Sequence, residues 1–318
     1  MDWFGAGVSA PLIVIRAIHF GATAVTAGAL IFRVIVARPA SHSPAIAKLL
    51  RTQTLWVAWV SLAITVASGV VWLSIEAASM SGQPLREALT PGVLLTVLNE
   101  TQFGLVSEIR AGLAIVLAAG LALNRFAPAN WLALAAALGL TAAIAWTGHA
   151  GSTPGAIGDL HLAADALHLC AAAGWIGGLV PLALLLAAAS RQQEVAWASL
   201  ARDAARRFST LGIAGVATLT ATGTLNAWIL VGSFHALVVT DYGWLLMLKI
   251  AVFVVMLVFA AVNRFWLTPR LAFAPGCAAQ LKALGQLTRN STIEIVLGFI
   301  IFTIVGLLGT LHPAIHLL

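Results

Sequence analysis

Charged residues are scarce in this chain. They make up 9% of its 318 residues, against 61% that are hydrophobic. Soluble domains carry about 25% charged residues, so this composition excludes a soluble domain and indicates a protein buried in lipid. Cysteine is also scarce: there are two, with no CxxC pair, which excludes a disulfide framework. No serine or cysteine nucleophile has a plausible base nearby in the sequence, so we expect no enzyme activity.

Long apolar stretches are present instead. Crossing about 30 Å of hydrocarbon takes about 20 helical residues. Eight stretches are long enough, and they predict an all-α, polytopic membrane protein that forms a single membrane domain over residues 1–318. The predicted spans are 11–37, 54–76, 104–124, 130–149, 161–189, 208–233, 243–266 and 291–313.

The positive residues collect in alternate loops. Thirteen of the 17 Lys and Arg residues lie in the four loops that follow the odd-numbered spans. By the positive-inside rule these loops are cytoplasmic, so both termini are predicted to be periplasmic. The basic residues are dispersed over four loops and form no single patch, so we expect no nucleic-acid partner.

The histidines are concentrated on the predicted outer side. His42 is the one cytoplasmic histidine among the eight, and His19 sits within the first span, roughly 12 Å deep at 1.5 Å per residue. The other six lie at or near the outer ends of spans: His149, His161, His168, His235, His312 and His316.

The two halves of the chain repeat. RAIHFGATAVTAGAL from Arg16 aligns with DALHLCAAAGWIGGL from Asp165, and two later stretches share an aromatic-Gly opening and an Asn-Arg-Phe ending. Each half holds four spans, so we predict two parallel four-helix repeats, about 1–152 and 153–318, with a functional site at their interface. The aligned pairs are Arg16/Asp165, His19/His168, Ser68-Gly69/Thr222-Gly223, Arg110/Lys249 and His149/His312.

Ionisable side chains inside a bilayer are costly and usually mark function or a buried partner. His161, Asp165 and His168 follow an i, i+4, i+7 spacing and so share one helix face. Imidazole suits copper, zinc and iron, and a carboxylate can orient a ligating imidazole. We predict that His19, His149 and His168 are metal ligands in one outer cavity. For His161, a solvated or capping role is an equal alternative.

Three basic residues, Arg16, Arg110 and Lys249, also fall in the outer half of the predicted membrane. They could snorkel to the interface, pair with Asp165 or Glu108, or neutralise carboxylates of an anionic lipid or of haem propionates. A b-type haem is therefore an alternative cofactor, with His168 and either His19 or His149 as its axial ligands.

Five stretches carry a family likeness: RAIHF, WTGHAG…GDLHLAADALHLCAAAGWIGGLVPL, RFSTLGIAGVATLTATGTLNAW, TDYGWLLMLKIAVF…NRF and RNSTIEIVLG. Together they resemble the copper resistance protein D family over nearly the whole chain. Its members are bacterial inner-membrane proteins of copper homeostasis, often encoded with a periplasmic copper-binding partner. The resemblance carries over to His19, His149, His168, Trp146, Gly148, Asp165 and Trp175, and we expect Arg16 and His312 to support the site.

The resemblance implies a protein that captures copper with periplasmic histidines and moves it across the inner membrane. Two alternatives stay open: a haem-binding redox protein, and a copper sensor or scaffold that transports nothing. A Soret band in the pure protein would identify the first, and lack of copper uptake into proteoliposomes would identify the second.

The predicted orientation is tested by a reporter that is active only in the periplasm, fused after Leu318. We expect it to be active there, because the dense positive charge keeps the alternate loops inside. The same reporter fused after Arg191 is the matched control and should be inactive. Cytoplasmic behaviour of the Leu318 fusion would remove an odd number of spans from the topology.

Overall fold

A computed structural model describes residues 10–37, 44–192, 194–273 and 277–316. Within these ranges the chain is helical and has no strand. Eight helices are long and apolar enough to cross a membrane, which confirms the predicted all-α, eight-span fold. They are α1 Ala10–Val36, α2 Pro44–Ser81, α3 Gln102–Ala122, α4 Ala127–Thr147, α5 Gly155–Gln192, α6 Val195–Val231, α7 Asp241–Arg270 and α8 Ala278–Leu308. Short helices at Leu85–Ala88, Pro91–Glu100, His149–Ser152 and Phe234–Val239 lie between them.

Three helices begin ten or more residues before the apolar pattern predicts. α2 begins at Pro44 and not 54, α6 at Val195 and not 208, and α8 at Ala278 and not 291. Hydropathy marks only the part of a helix that lies in hydrocarbon, and no glycine or proline stops these helices as they leave it. The 37 residues of α6 span about 55 Å, well beyond the hydrocarbon core.

The basic loops meet at one end of the bundle. Arg33 Nη2 donates to the Asn124 carbonyl at 3.2 Å, and Arg51 Nε donates to the Asn124 side chain at 2.9 Å. Arg207 Nη1 donates to the Val36 carbonyl at 3.2 Å. These contacts join the ends of α1, α2, α3 and α6. Which side of the membrane this end faces stays a prediction, and His42 lies outside the described residues.

Two helices form the centre of the bundle. In their most apolar stretches, 72% of α1 and 67% of α5 is buried, against 6% of α7. α1 packs against α2, α4, α5 and α8, and α5 packs against α1, α4, α6 and α8. The first helix of each half therefore contacts both halves.

α1 and α5 cross at a pair of glycines. A β-carbon at Gly28 would overlap the backbone of Gly177, and one at Gly177 would overlap the Ala24 carbonyl. Small residues permit such close approach in lipid, where packing drives helix association. His19 and His168 each lie nine residues before the crossing glycine of their own helix, about 14 Å along the axis. The crossing thus places the two histidines at matching depths.

The third helix of each half begins in the same way. The Thr101 side chain accepts a hydrogen bond from Gly104 N at 2.9 Å, and the Thr240 side chain accepts one from Gly243 N at 3.0 Å. A β-carbon at either glycine would overlap the backbone of the short helix before it. These matched caps support the predicted repeat, while the axis that relates the halves stays a prediction.

The glycine crossing is tested by Gly28→Ala. We expect this change to destabilise the protein by on the order of 1–3 kcal/mol, because the added methyl group forces two helix backbones apart. Gly112→Ala is the matched control, since a β-carbon there meets nothing within 4 Å. Thermal unfolding in detergent, followed by tryptophan fluorescence, compares the two. Equal melting temperatures would show that the crossing does not hold the halves together.

Candidate functional site

A polar cavity lies between α1, α5, α6 and α7, at the end of the bundle opposite the basic loops. Its volume is about 130 Å³, close to that of an engineered cavity that holds benzene. It brings together four of the five predicted metal-site residues and Arg16. Its polar and aromatic lining includes Arg16, His149, His161, Asp165, His168, Asn226, Tyr242 and Lys249. A larger groove, of about 570 Å³, is lined almost wholly by apolar side chains.

His168 projects from α5 and is oriented by α6. Its Nδ1 lies 3.0 Å from the Thr222 hydroxyl, which donates its own proton to the Thr218 carbonyl at 2.6 Å. Thr222 must therefore accept from Nδ1, and the neutral ring carries its lone pair on Nε2. A β-carbon at Gly223 would lie 3.2 Å from the His168 ring, so any larger residue there would push the ring by a few tenths of an ångström. His168 is thus prepared as an Nε2 ligand.

His161 has the same arrangement at the start of the shared helix face, about two turns before His168. Its Nδ1 lies 2.9 Å from the Thr153 hydroxyl, which donates to the His149 carbonyl at 3.1 Å. The lone pair of this neutral ring is again on Nε2. Ligating histidines commonly donate their other ring N–H to a protein acceptor, so both rings match the pattern of metal ligands.

His149 enters the cavity from the segment after α4. Its Nε2 donates to the Leu308 carbonyl at 3.2 Å, which leaves Nδ1 as the basic nitrogen of the neutral ring. The ring packs edge-on against Tyr242, with 6.0 Å between the ring centroids. The contact to Leu308 ties α8 to the site.

The charged groups of the cavity come from three helices. Asp165 accepts from Asn226 Nδ2 at 3.1 Å, while Asn226 Oδ1 is buried without a hydrogen-bond partner. Arg16 Nη1 donates to the Gly309 carbonyl at 2.9 Å, and its guanidinium stacks over Trp72 at 5.3 Å. Lys249 reaches the cavity from α7.

His19 is placed differently from the prediction of one shared cavity. It is buried, and the cavity lining does not include it. Its Nδ1 lies 2.9 Å from the Ser68 hydroxyl, which itself donates to the Ile64 carbonyl at 2.6 Å. Its Nε2 is in hydrogen-bond contact with Arg110 Nη2. Both ring nitrogens are therefore occupied in this arrangement.

The two histidine environments correspond position by position. His19 has Ser68 where His168 has Thr222, and a β-carbon added to the glycine that follows would lie 3.3 Å from the His19 ring and 3.2 Å from the His168 ring. The aligned cations differ in place: Arg110 contacts the His19 ring, whereas Lys249 lines the open cavity. In the first half, an arginine therefore occupies the position next to the histidine ring, whereas in the second half the ring borders the cavity.

The donors in the cavity do not form a closed metal site as they stand. Across the parts of the chain that the structure describes, no three His, Cys, Asp or Glu side chains are grouped closely enough to hold a metal ion. A bound metal would need side-chain movement or ligands that do not come from the protein. Cys170 and Cys277 are both free thiols, and the cavity lining includes neither.

The remaining predicted residues lie around the site. Trp146 and His312 are exposed, and the cavity lining includes neither. Trp175 is buried and packs edge-on against Phe253 at 5.9 Å. Sequence reasoning missed Asn226 and Trp72, although an amide within the apolar sixth span was a usable signal. Tyr242, at the start of α7, is a further lining residue that the sequence analysis did not single out.

The fold and the cavity define a class: a polytopic helical membrane protein with a histidine-lined site at one end. Residues 7–159 match the family model of the copper resistance protein D-like N-terminal domain, and residues 202–308 match that of copper resistance protein D. Copper resistance protein D of Pseudomonas syringae pv. tomato is 30% identical over 250 residues, which cover 77% of this chain and 79% of that protein. The chain belongs to the copper resistance protein D family.

Two further relatives have similar sequence identity to this chain. The copper transport protein CutJ of Bacillus subtilis (strain 168) is 33% identical over 217 residues, which cover 66% of this chain and 39% of CutJ. The inner membrane protein YebZ of Escherichia coli (strain K12) is 28% identical over 302 residues, 95% of this chain and 98% of YebZ. No solved structure matches the chain.

Proposed function

We propose that this protein binds copper at the periplasmic end of the membrane bundle, through His149, His161 and His168 with Asp165 beside them. The observation that carries the proposal is the tautomeric state of two imidazole rings. His161 and His168 both donate Nδ1–H to a threonine hydroxyl and so keep an Nε2 lone pair, in one cavity. Family membership supports copper as the metal, and imidazole is a suitable copper ligand.

We further propose that copper moves inward from this cavity across the inner membrane. One relative is named as a copper transport protein and another as an inner membrane protein, which supports copper transport across the inner membrane. A second buried polar cluster lies at the basic end, where Asn263 Nδ2 donates to Glu294 at 2.7 Å and Asn290 Nδ2 donates to Asn263 at 2.9 Å. The inward path of this proposal leads from the cavity to this second cluster.

The copper source in this proposal is a copper-binding protein of the periplasm, since the cavity is at the end where both termini are predicted to lie. No enzyme activity is part of the proposal. The haem alternative is less well supported, because drug-sized ligands occupy pockets of about 300–1,000 Å³ and this cavity measures about 130 Å³. Absorbance spectra of the purified protein should therefore show no Soret band.

The copper site is tested by equilibrium copper binding to the purified chain in lipid nanodiscs. We expect His168→Ala and His161→Ala each to weaken binding at least about tenfold, equivalent to about 1.4 kcal/mol, because each change removes one lone pair from the cavity. His235→Ala is the control, since that histidine is exposed on a short outer helix. Equal affinity in all three variants would contradict the assignment.

A matched pair of glycine substitutions distinguishes the His168 site from the His19 site. Gly223→Ala and Gly69→Ala introduce similar crowding, at 3.2 Å from the His168 ring and 3.3 Å from the His19 ring. We expect only Gly223→Ala to weaken copper binding, because only His168 lines the cavity. Thermal stability is measured alongside and should fall in both. Weaker binding in Gly69→Ala alone would move the copper site to His19.

A further inference from the structure

The cavity holds more positive charge than a site for a bare metal cation needs. Arg16 and Lys249 line it together with the histidines, and Asp165 is the one carboxylate among the lining residues. Two cations and one carboxylate leave a net charge of +1 while the histidines are neutral. A copper ion would raise this charge further, within a region where charge interactions are weakly screened.

Neither cation has a carboxylate partner at contact distance. In the described ranges, the one ion pair within 4 Å joins Arg202 to Asp203. Arg16 is 6% exposed, rests on a backbone carbonyl and the Trp72 ring, and keeps a buried Nε without a hydrogen-bond partner. Glu76 and Asp165 lie near enough to interact electrostatically with Arg16 and Lys249, but neither carboxylate makes contact with its cation. Buried charges in proteins are normally paired, so both cations keep the capacity to bind a small anion.

The metal donors are also incomplete. His149, His161, His168 and Asp165 line one cavity, yet no three donors among the residues that the structure describes are grouped as a coordination set. A ligand that arrives with the metal would fill the open coordination position. If that ligand is an anion, it also neutralises part of the charge that Arg16 and Lys249 bring.

We propose that Arg16 and Lys249 form an anion subsite, and that copper is accepted here together with a small monoanion as co-ligand. This inference rests on the proposed copper site and names its cargo as a copper–anion complex. A volume of about 130 Å³ admits a metal ion with one or two small ligands and no large chelator. Free chloride and a single carboxylate share the required chemistry.

The inference is tested by copper affinity of the full chain in nanodiscs, in chloride, acetate or methanesulfonate at equal ionic strength. Wild type should bind copper about tenfold tighter, about 1.4 kcal/mol, in one of the first two anions than in methanesulfonate. The anion that gives the tighter copper binding, chloride or acetate, identifies the co-ligand as chloride or as a carboxylate. Lys249→Gln and Arg16→Gln should lose this ratio. Because chloride also complexes copper in solution, each ratio is read against that of Arg86→Gln, an exposed outer residue.

A second measurement uses chloride alone, without copper. NMR line broadening of chloride should report binding to wild type and to the charge-preserving Lys249→Arg, and its loss in Lys249→Gln. Copper binding that ignores the anion, with no chloride binding, overturns the anion subsite and leaves the proposed copper site standing. Chloride binding without copper binding in any anion overturns the proposed function and retains the subsite.

Discussion

The close crossing of α1 and α5 is the constraint on which the rest of the structure depends. Helices in lipid gain nothing from excluding water from each other, so their association relies on packing. Gly28 and Gly177 let two backbones touch, and that contact joins the halves of the chain. Because His19 and His168 each lie nine residues before the crossing glycine of their own helix, they lie at similar distances from the crossing. His168 is less buried than His19, since Arg110 of α3 contacts the His19 ring whereas Lys249 of α7 lines the cavity.

The need to satisfy polar groups in hydrocarbon explains the details around both histidines. In each half, a hydroxyl from the second helix accepts a hydrogen bond from Nδ1–H of the ring and donates one to a backbone carbonyl. This leaves the Nε2 lone pair as the group that needs a partner. Arg110 supplies that partner to His19, whereas the Nε2 of His168 is left for a ligand. The same local chemistry thus gives a structural histidine in one half and a candidate ligand in the other.

Positive charge in the outer half has a similar explanation. Arg16 and Arg110 both stack on Trp72, whose Nε1 donates to Glu76 at 3.0 Å. The ring faces and a nearby carboxylate support the two guanidinium groups without a direct ion pair. Lys249 has no such aromatic support and lies at the cavity. A site that combines neutral imidazoles with cations is better suited to a metal complex that carries negative charge than to a bare ion.

The sequence by itself determined the class of protein, the number of spans and most of the histidine and charged residues from which the site is built. Apolar stretches long enough for hydrocarbon admit only helices, and alternate basic loops set a predicted orientation, because both follow from local composition. The alignment of the two halves also identified the matching histidines and cations. Only the tertiary structure decided that His161 and Asp165 share a cavity with His149 and His168 while His19 does not. That separation depends on whether a side chain from another helix, Arg110 or Lys249, reaches the ring nitrogen, and the distance between helices is not encoded in any single stretch of sequence.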